Sequence, residues 1–312
     1  MTKNISILGA NGFIGRALSM ALLREGYQVY GGVRNPPSRR EHATTWAVKP
    51  FTHPKDFDEL LQDTKTLIHC ASSSTVASSS SRPVHEFDSD LRTSLALIEA
   101  LEDRRDIHVV FLSSGGTVYG RQMVNTPIDE KTTPSPISYH GASKLSVEHF
   151  FQAWATQNCT ALTILRPSNI FGPGQPYTQG FGVIPALFRS VFENRKFTIR
   201  GSLDSVRDYL YIDDFIDLLH RIGTSNSTSG PVTYNAGRGT GTSLRELIAL
   251  VESICGSTIE VSIEQPLKGE ISHVILSSEA AEKSFEWTSR TSLHFGLEET
   301  WRWWQLNRRQ NN

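Results

Sequence analysis

The sequence predicts an α/β protein: a doubly wound parallel sheet with a smaller C-terminal α/β unit. Three observations predict it. Short apolar runs alternate with segments of helical spacing as far as Pro167. The first of these runs leads into glycines three apart, Gly9, Gly12 and Gly15. After Pro167 the rhythm breaks into a Gly- and Pro-rich stretch followed by further amphipathic segments.

Each element follows in turn. ISILGA (5–10) is an apolar run closed by glycine, which predicts a buried strand. GRALSMALLREG (15–26) has helical spacing and stops at Gly26, a suitable C-cap. YQVYGGV (27–33) reads as a second strand and RNPPSRR as a loop. DFDELLQD is a short helix and TLIHCA (66–71) a strand. The low-complexity SSSTVASSSSRP (72–83) reads as a loop at a strand's C-terminal end, where open α/β sheets bind ligands. VHEFDSDLRTSLALIEALED (84–103) predicts a long helix, HVVFLSS (108–114) a strand, SKLSVEHFFQAWATQ (143–157) a helix and ALTILRP (161–167) a strand. Beyond them, SNIFGPGQPYTQGFG is loop-built and VIPALFRSVFEN helical. DYLYIDDFIDLLHRI is a strand end entering a helix, VTYNAG a strand, and SLRELIALVESIC and LEETWRWWQLN late helices. The resulting division is 1–167 plus 208–237 for a dinucleotide-binding domain, and 168–207 plus 238–312 for a substrate-side domain.

Composition excludes several classes. Lys plus Arg number 31 against 32 Asp plus Glu, so no charge excess points to nucleic acid or an anionic membrane. Cys70, Cys159 and Cys255 are widely spaced and odd in number, which fits neither a disulfide framework nor a zinc site and suggests a reducing compartment. No histidine pair has metal-ligand context. The N-terminus lacks a charged-then-apolar leader, and no apolar run approaches the ~20 residues of a membrane span. The expectation is a cytoplasmic protein without a metal.

The glycines carry the first chemistry. In GANGFIG, Gly9 makes the turn, Gly12 lets a pyrophosphate reach the backbone, and Gly15 allows tight helix–strand packing. The helix start at Phe13 and Ile14 then faces the phosphates. An NAD site favours an acid at the end of the second strand. Here that end reads GGVRNPPSRR, with Arg34 placed to pair a 2′-phosphate and Arg39 and Arg40 close behind. The expected cofactor is therefore NADP(H), with NAD as the alternative.

Six segments in order, GANGFIG, LIHCA, FLSSGGTVYG, HGASKLSVE, LRPSNIFGPG and VRDYLYIDD, resemble the extended short-chain dehydrogenases/reductases. The likeness is to their nucleotide-sugar branch of UDP-galactose 4-epimerases, 4,6-dehydratases and 4-ketoreductases. It implies a Rossmann fold and NAD(P)-dependent chemistry at C4 of a nucleoside-diphosphate sugar. It also implies that Ala71 and Ser72 line the cofactor and that Lys144 bonds the nicotinamide ribose. By the same likeness Asn169 and Arg207 hold the substrate diphosphate, and Lys268 and Glu270 stand near a nucleotide-holding stretch. His69 matches a structural histidine.

The departures from that family are informative. The hydroxyl residue expected three positions before Val118 is Gly115, leaving Ser114, Thr117 or, less directly, Ser113 to supply the group. The acid expected after the third strand is absent, and VKPFT offers Pro50. The catalytic tyrosine position, four residues before Lys144, holds His140, while Tyr139 stands one residue early. On a helix His140 and Lys144 share a face, whereas Tyr139 is turned about 140° from Lys144. A break before Gly141 brings Tyr139 back, so both residues stand as candidates. A neighbouring lysine disfavours imidazolium, so a neutral His140 is expected, competent as a base toward a sugar hydroxyl. A non-catalytic protein of the same fold that binds dinucleotide or sugar nucleotide is the rival reading. Finally, 84–103 and 143–157 carry apolar residues on more than one face, among them Leu145, Val147, Phe150, Phe151 and Trp154. One sheet covers one stripe, so a homodimer is expected.

Overall fold

The computed structural model describes residues 4–36, 42–80, 82–121, 126–178, 182–225, 229–265 and 271–307. Thirteen strands form among them: β1 (Asn4–Leu8), β2 (Gln28–Val33), β3 (Thr45–Val48), β4 (Thr66–His69), β5 (His108–Leu112), β6 (Ala161–Pro167), β7 (Asn169–Phe171), β8 (Phe197–Arg200), β9 (Val206–Tyr211), β10 (Gly230–Ala236), β11 (Gly241–Ser243), β12 (Val261–Glu264) and β13 (His273–Val274). The central sheet has the order β10-β6-β5-β4-β1-β2-β3, and every neighbouring pair is parallel. The chain winds outward from β1 to β3, then crosses to β4 on the other side of β1. That reversal makes the C-terminal edge between β1 and β4 the crevice where such sheets bind ligands.

The two-residue period of the strands sorts their side chains onto two cores. Val110 and Leu112 face one with Ile5 and Ile7, against the helices Phe13–Arg24 and Ile212–Thr224. Val109 and Phe111 face the other, with Leu97, Val147, Phe151 and Trp154 of the helices Arg92–Ala100 and Tyr139–Asn158. Burial of such side chains contributes about 1.5–3 kcal/mol each. The remaining strands form a β11-β9-β13 sheet with β7 alongside β9, and a β12-β8 pair. Their core is continuous with the first, since Leu247, Leu297 and Trp304 belong to the cluster containing Ile5 and Leu18. The expected division at 207/208 falls inside β9, which pairs in the smaller sheet.

Four local differences from the sequence reading bear on the site. Residues 84–103 are not one helix: a turn at Pro83–Glu86 passes into a π-helical turn at Phe87–Leu91 before the helix Arg92–Ala100. The serine-rich loop contains a helical turn, Val76–Ser79, capped by Thr75. The helix expected from 143 begins at Tyr139, because Ser138 Oγ accepts the Gly141 N–H at 3.1 Å and caps it. The segment after Pro167 contains β7, paired in parallel with β9.

Candidate active site

At the crevice the glycine turn is built as the spacing predicts. Gly9 has φ +91°, and a Cβ there would lie 2.7 Å from the Ala71 nitrogen, so β1 and β4 approach too closely for a side chain. A Cβ on Gly15 would meet Gly9 O at 2.3 Å. Gly12 is the N-cap of Phe13–Arg24 and supplies no side-chain cap. The first N–H groups of that helix, at Phe13 and Ile14, thus have no intrahelical partner and are available to an anion. This cradle fits the pyrophosphate of a nicotinamide dinucleotide.

Next to it, the Ser138 cap fixes the register of the helix Tyr139–Asn158. His140 and Lys144 fall on the buried face, 9% and 6% exposed, while Tyr139 turns outward at 48%. Gly141 lets this helix start press on the turn Gly115–Val118, since a Cβ there would meet Thr117 O at 2.6 Å. Lys144 Nζ donates to Leu112 O at 3.4 Å and lies 3.9 Å from Asp90 Oδ2. Asp90 accepts from Ser72 Oγ at 2.5 Å, the Ser73 N–H at 2.8 Å and Ser74 Oγ at 3.1 Å. Ser74 Oγ stands 2.7 Å from Glu86 Oε1 and 3.0 Å from His140 Nδ1. Glu86 Oε1 is itself 3.0 Å from that nitrogen.

Burial in this cluster is offset by hydrogen bonds and by Lys144. Burial pushes the Glu86 carboxyl up, but hydrogen bonds from His140 and Ser74 outweigh it and hold the group below its ordinary range. Burial likewise works against an ionised Asp90, and the Lys144 cation with donors on Ser72 and Ser73 brings its carboxyl down. Burial and Lys144 lower His69 to about 3, leaving it a neutral partner of Ser94 at 3.2 Å. The sequence reading considered only Lys144 beside His140; the structure adds two carboxylates. Glu86, Asp90 and His140 offer ligand atoms within 4.8 Å of one another. Within the cluster Lys144 pairs with Asp90, and Ser74 bonds to all three.

Of the hydroxyl candidates, Ser113 is engaged by the buried Glu148, which also pairs with Arg166. Ser114 Oγ makes no hydrogen bond among the described residues, and Thr117 Oγ1 reaches only Ser114 O at 3.5 Å. Gly115 is closed: a Cβ there would lie 2.4 Å from Leu276 Cδ1 and 3.0 Å from Arg166 O. A side chain at 115 therefore requires Leu276 to repack. Ser72 spends its hydroxyl on Asp90, beside the half-buried Ala71.

On the substrate side, Asn169 of β7 donates to Asp208 O at 3.1 Å. Arg207 on adjacent β9 donates to Val206 O at 3.0 Å and Ile271 O at 2.5 Å. The pairing of β7 with β9 sets Asn169 opposite Tyr209, two residues beyond Arg207, which lies between β11 and β13. Arg34 is exposed directly after β2. Arg39, Arg40, Lys268 and Glu270 lie outside the described residues. Glu86 and Asp90 escaped the sequence reading. Their one signal was a pair of acids four residues apart after a serine run, which reads equally well as a solvated helix face.

A parallel sheet with a glycine cradle at its switch point defines a dinucleotide-binding α/β class. Residues 5–237 match the NAD dependent epimerase/dehydratase family, and the chain belongs to that family. It is 27% identical to a putative UDP-glucose 4-epimerase of Methanocaldococcus jannaschii, over 98% of this chain and 99% of that one. It is 24% identical to a dTDP-4-dehydro-6-deoxyglucose reductase of Escherichia coli, over 95% and 96%. The structure of a Thermotoga maritima UDP-glucose 4-epimerase with UDP-glucose superposes with a TM-score of 0.89 at 26% identity, covering 97% and 99%. A Thermus thermophilus UDP-glucose 4-epimerase with NAD shares the fold, with a TM-score of 0.88 at 24% identity, again over 97% and 99%.

Proposed function

We propose that this chain is an NAD(P)-dependent enzyme acting at C4 of a nucleoside-diphosphate sugar, by epimerisation or 4-keto reduction. The observation that carries the reading is His140, held at the switch point and joined through Ser74 and Asp90 to Lys144. When bound, the dinucleotide supplies the hydride acceptor or donor. Gly9, Gly12 and Gly15 with the Phe13 and Ile14 N–H groups hold its pyrophosphate, Ala71 borders it, and Lys144 bonds its ribose. His140 takes or returns the hydroxyl proton, and Ser114 or Thr117 hydrogen-bonds the same oxygen. Asn169 and Arg207 anchor the sugar diphosphate, with Lys268 and Glu270 nearby. Relatives on both sides of the choice, a 4-epimerase and a reductase, support the C4 assignment.

Arg34 after β2 favours NADP(H), and through it a 4-ketoreductase, because an epimerase returns its hydride and has no need of the phosphorylated pool. The Thermus structure holds NAD, which supports the unphosphorylated alternative for that protein. A homodimer joined through the segments 84–103 and 143–157 completes the reading. Among the described residues no helix is long and apolar enough to cross a membrane. Three free cysteines suit a reducing, cytoplasmic setting.

One observation favours a second reading, a binding protein without turnover: Gly115 lacks the hydroxyl, and Leu276 occupies its space. The test is thermal stabilisation of the purified protein by a panel of nucleotide sugars, followed by turnover assays. Stabilisation should appear in the parent and vanish in Arg207→Ala, with dinucleotide binding retained. Retained sugar-nucleotide binding in that variant contradicts the substrate class, and binding without turnover selects the second reading.

A further inference from the structure

The proposed reaction needs a base with one particular nitrogen free, and the cluster around His140 determines which. Glu86 is 2% exposed and its Oε1 lies 3.0 Å from His140 Nδ1. Ser74 Oγ is 3.0 Å from the same nitrogen. Ser74 has a single hydroxyl proton, and Glu86 Oε1 at 2.7 Å and Asp90 Oδ2 at 3.1 Å both stand ready to accept it. With that proton on either carboxylate, both neighbours of Nδ1 present lone pairs. A bare Nδ1 would set its own lone pair against the Glu86 carboxylate at hydrogen-bond distance. A protonated Nδ1 donates to Glu86 instead and is satisfied.

The other ring nitrogen is in the opposite situation. His140 Nε2 makes no hydrogen bond among the described residues, and it is not among the buried polar atoms that lack a partner. It therefore keeps contact with solvent at the crevice. We infer that Glu86 is a positioning residue that fixes His140 in the Nδ1–H tautomer and leaves Nε2 as the proton acceptor. A Glu–His dyad thereby takes over the work of a lysine-activated phenol. This rests on the proposed C4 chemistry. In the oxidative direction the sugar C4–H bond breaks and its electron pair leaves as hydride to the oxidised nicotinamide dinucleotide. The hydroxyl proton passes to Nε2, the C4–O bond becomes a carbonyl, and His140 becomes an imidazolium balanced by the Glu86 carboxylate. Reduction is the reverse. Asp90 also bonds to Lys144, Ser72 and Ser73, so the charges facing the ring are Glu86 directly and Asp90 and Lys144 behind it.

The test is the ring-nitrogen signature of His140 by ¹⁵N NMR, in the parent and in Glu86→Gln, together with steady-state kinetics. The parent should show a protonated Nδ1 and an unprotonated Nε2. A glutamine is close in shape but can turn its N–H toward Nδ1, which drives the proton to Nε2. Glu86→Gln should then lose the parent's nitrogen pattern and lose kcat by about 10²–10⁴-fold with little change in KM. Protonation of Nε2 in the parent, or an unchanged nitrogen pattern in Glu86→Gln, overturns the inference. So does a folded Glu86→Gln that turns over at the parent rate. The NMR arm needs no turnover, so an inactive parent with the Nδ1–H pattern supports the dyad while removing the proposed reaction.

Discussion

Single residues decide the chemistry of this chain, and two of them were readable as departures. The spacing to Lys144 singled out His140 as a candidate beside Tyr139, and in the structure His140 lies on the buried face while Tyr139 is half exposed. Gly115 was readable as a missing hydroxyl; that Leu276 fills the space was not, because the two are 161 positions apart and only the fold joins them. The same holds for Glu86 and Asp90, whose meaning depends on which way a helix face turns. Arg34 tests the cofactor reading at this scale. It is exposed at the end of β2, and a charge-assisted bond to a 2′-phosphate is worth about 1.5–3 kcal/mol. Arg34→Ala should weaken NADP(H) binding by roughly 10–100-fold and leave NAD(H) nearly unchanged, as titration calorimetry would show. Equal parent affinities for the two dinucleotides would remove the preference for NADP(H).

Among elements, the short ones position the site. Ser138 caps the helix Tyr139–Asn158 and so sets the register of His140 and Lys144. The π-helical turn Phe87–Leu91 interrupts the run that alternation and spacing read as one helix, and it carries Asp90 to Lys144. Val84, Phe87, Leu91, Leu95 and Ile98 keep three- and four-residue spacing through the turn, which is why 84–103 read as continuous. The dimer expectation also changes in detail. Val147, Phe151 and Trp154 are used by the sheet, and Leu145 packs with Val118, Tyr119 and Leu276. Phe150 remains 49% exposed, with Val84 at 71% and Phe87 at 44% on the neighbouring segment. These three side chains would anchor the twofold contact. Light scattering at micromolar concentration should give a dimer for the parent and a monomer for Phe150→Glu; a monomeric parent contradicts the assembly.

At the scale of the whole molecule, the central sheet was legible because its inner strands β1, β4, β5 and β6 are almost wholly buried apolar runs, the first closed by Gly9. The smaller sheets were far less so. Apart from β9, their strands are two to four residues long, too short for a period-2 pattern, and their pairing rests on contacts between distant segments. Asp208 shows this: fully buried, it accepts the N–H groups of Arg238, Gly239 and Leu276 and so ties β9 to two later segments. Burial raises its carboxyl, with those donors working the other way. Sequence order alone supplies no sign of such a clasp. What does survive from sequence to structure is the convergence of the glycine cradle, His140 and Lys144 on one crevice of one sheet.

The most direct test of that convergence follows the bound dinucleotide itself. Its reduction on addition of a nucleotide sugar with a C4 hydroxyl is read by absorbance in the parent, in Tyr139→Phe and in His140→Phe. The parent and Tyr139→Phe should reduce it at similar rates. His140→Phe should retain the dinucleotide but react slower by about 10²–10⁴-fold, the range of general acid–base assistance. Parent-like reduction in His140→Phe, or loss of reduction in Tyr139→Phe instead, would contradict the assignment of proton transfer to His140.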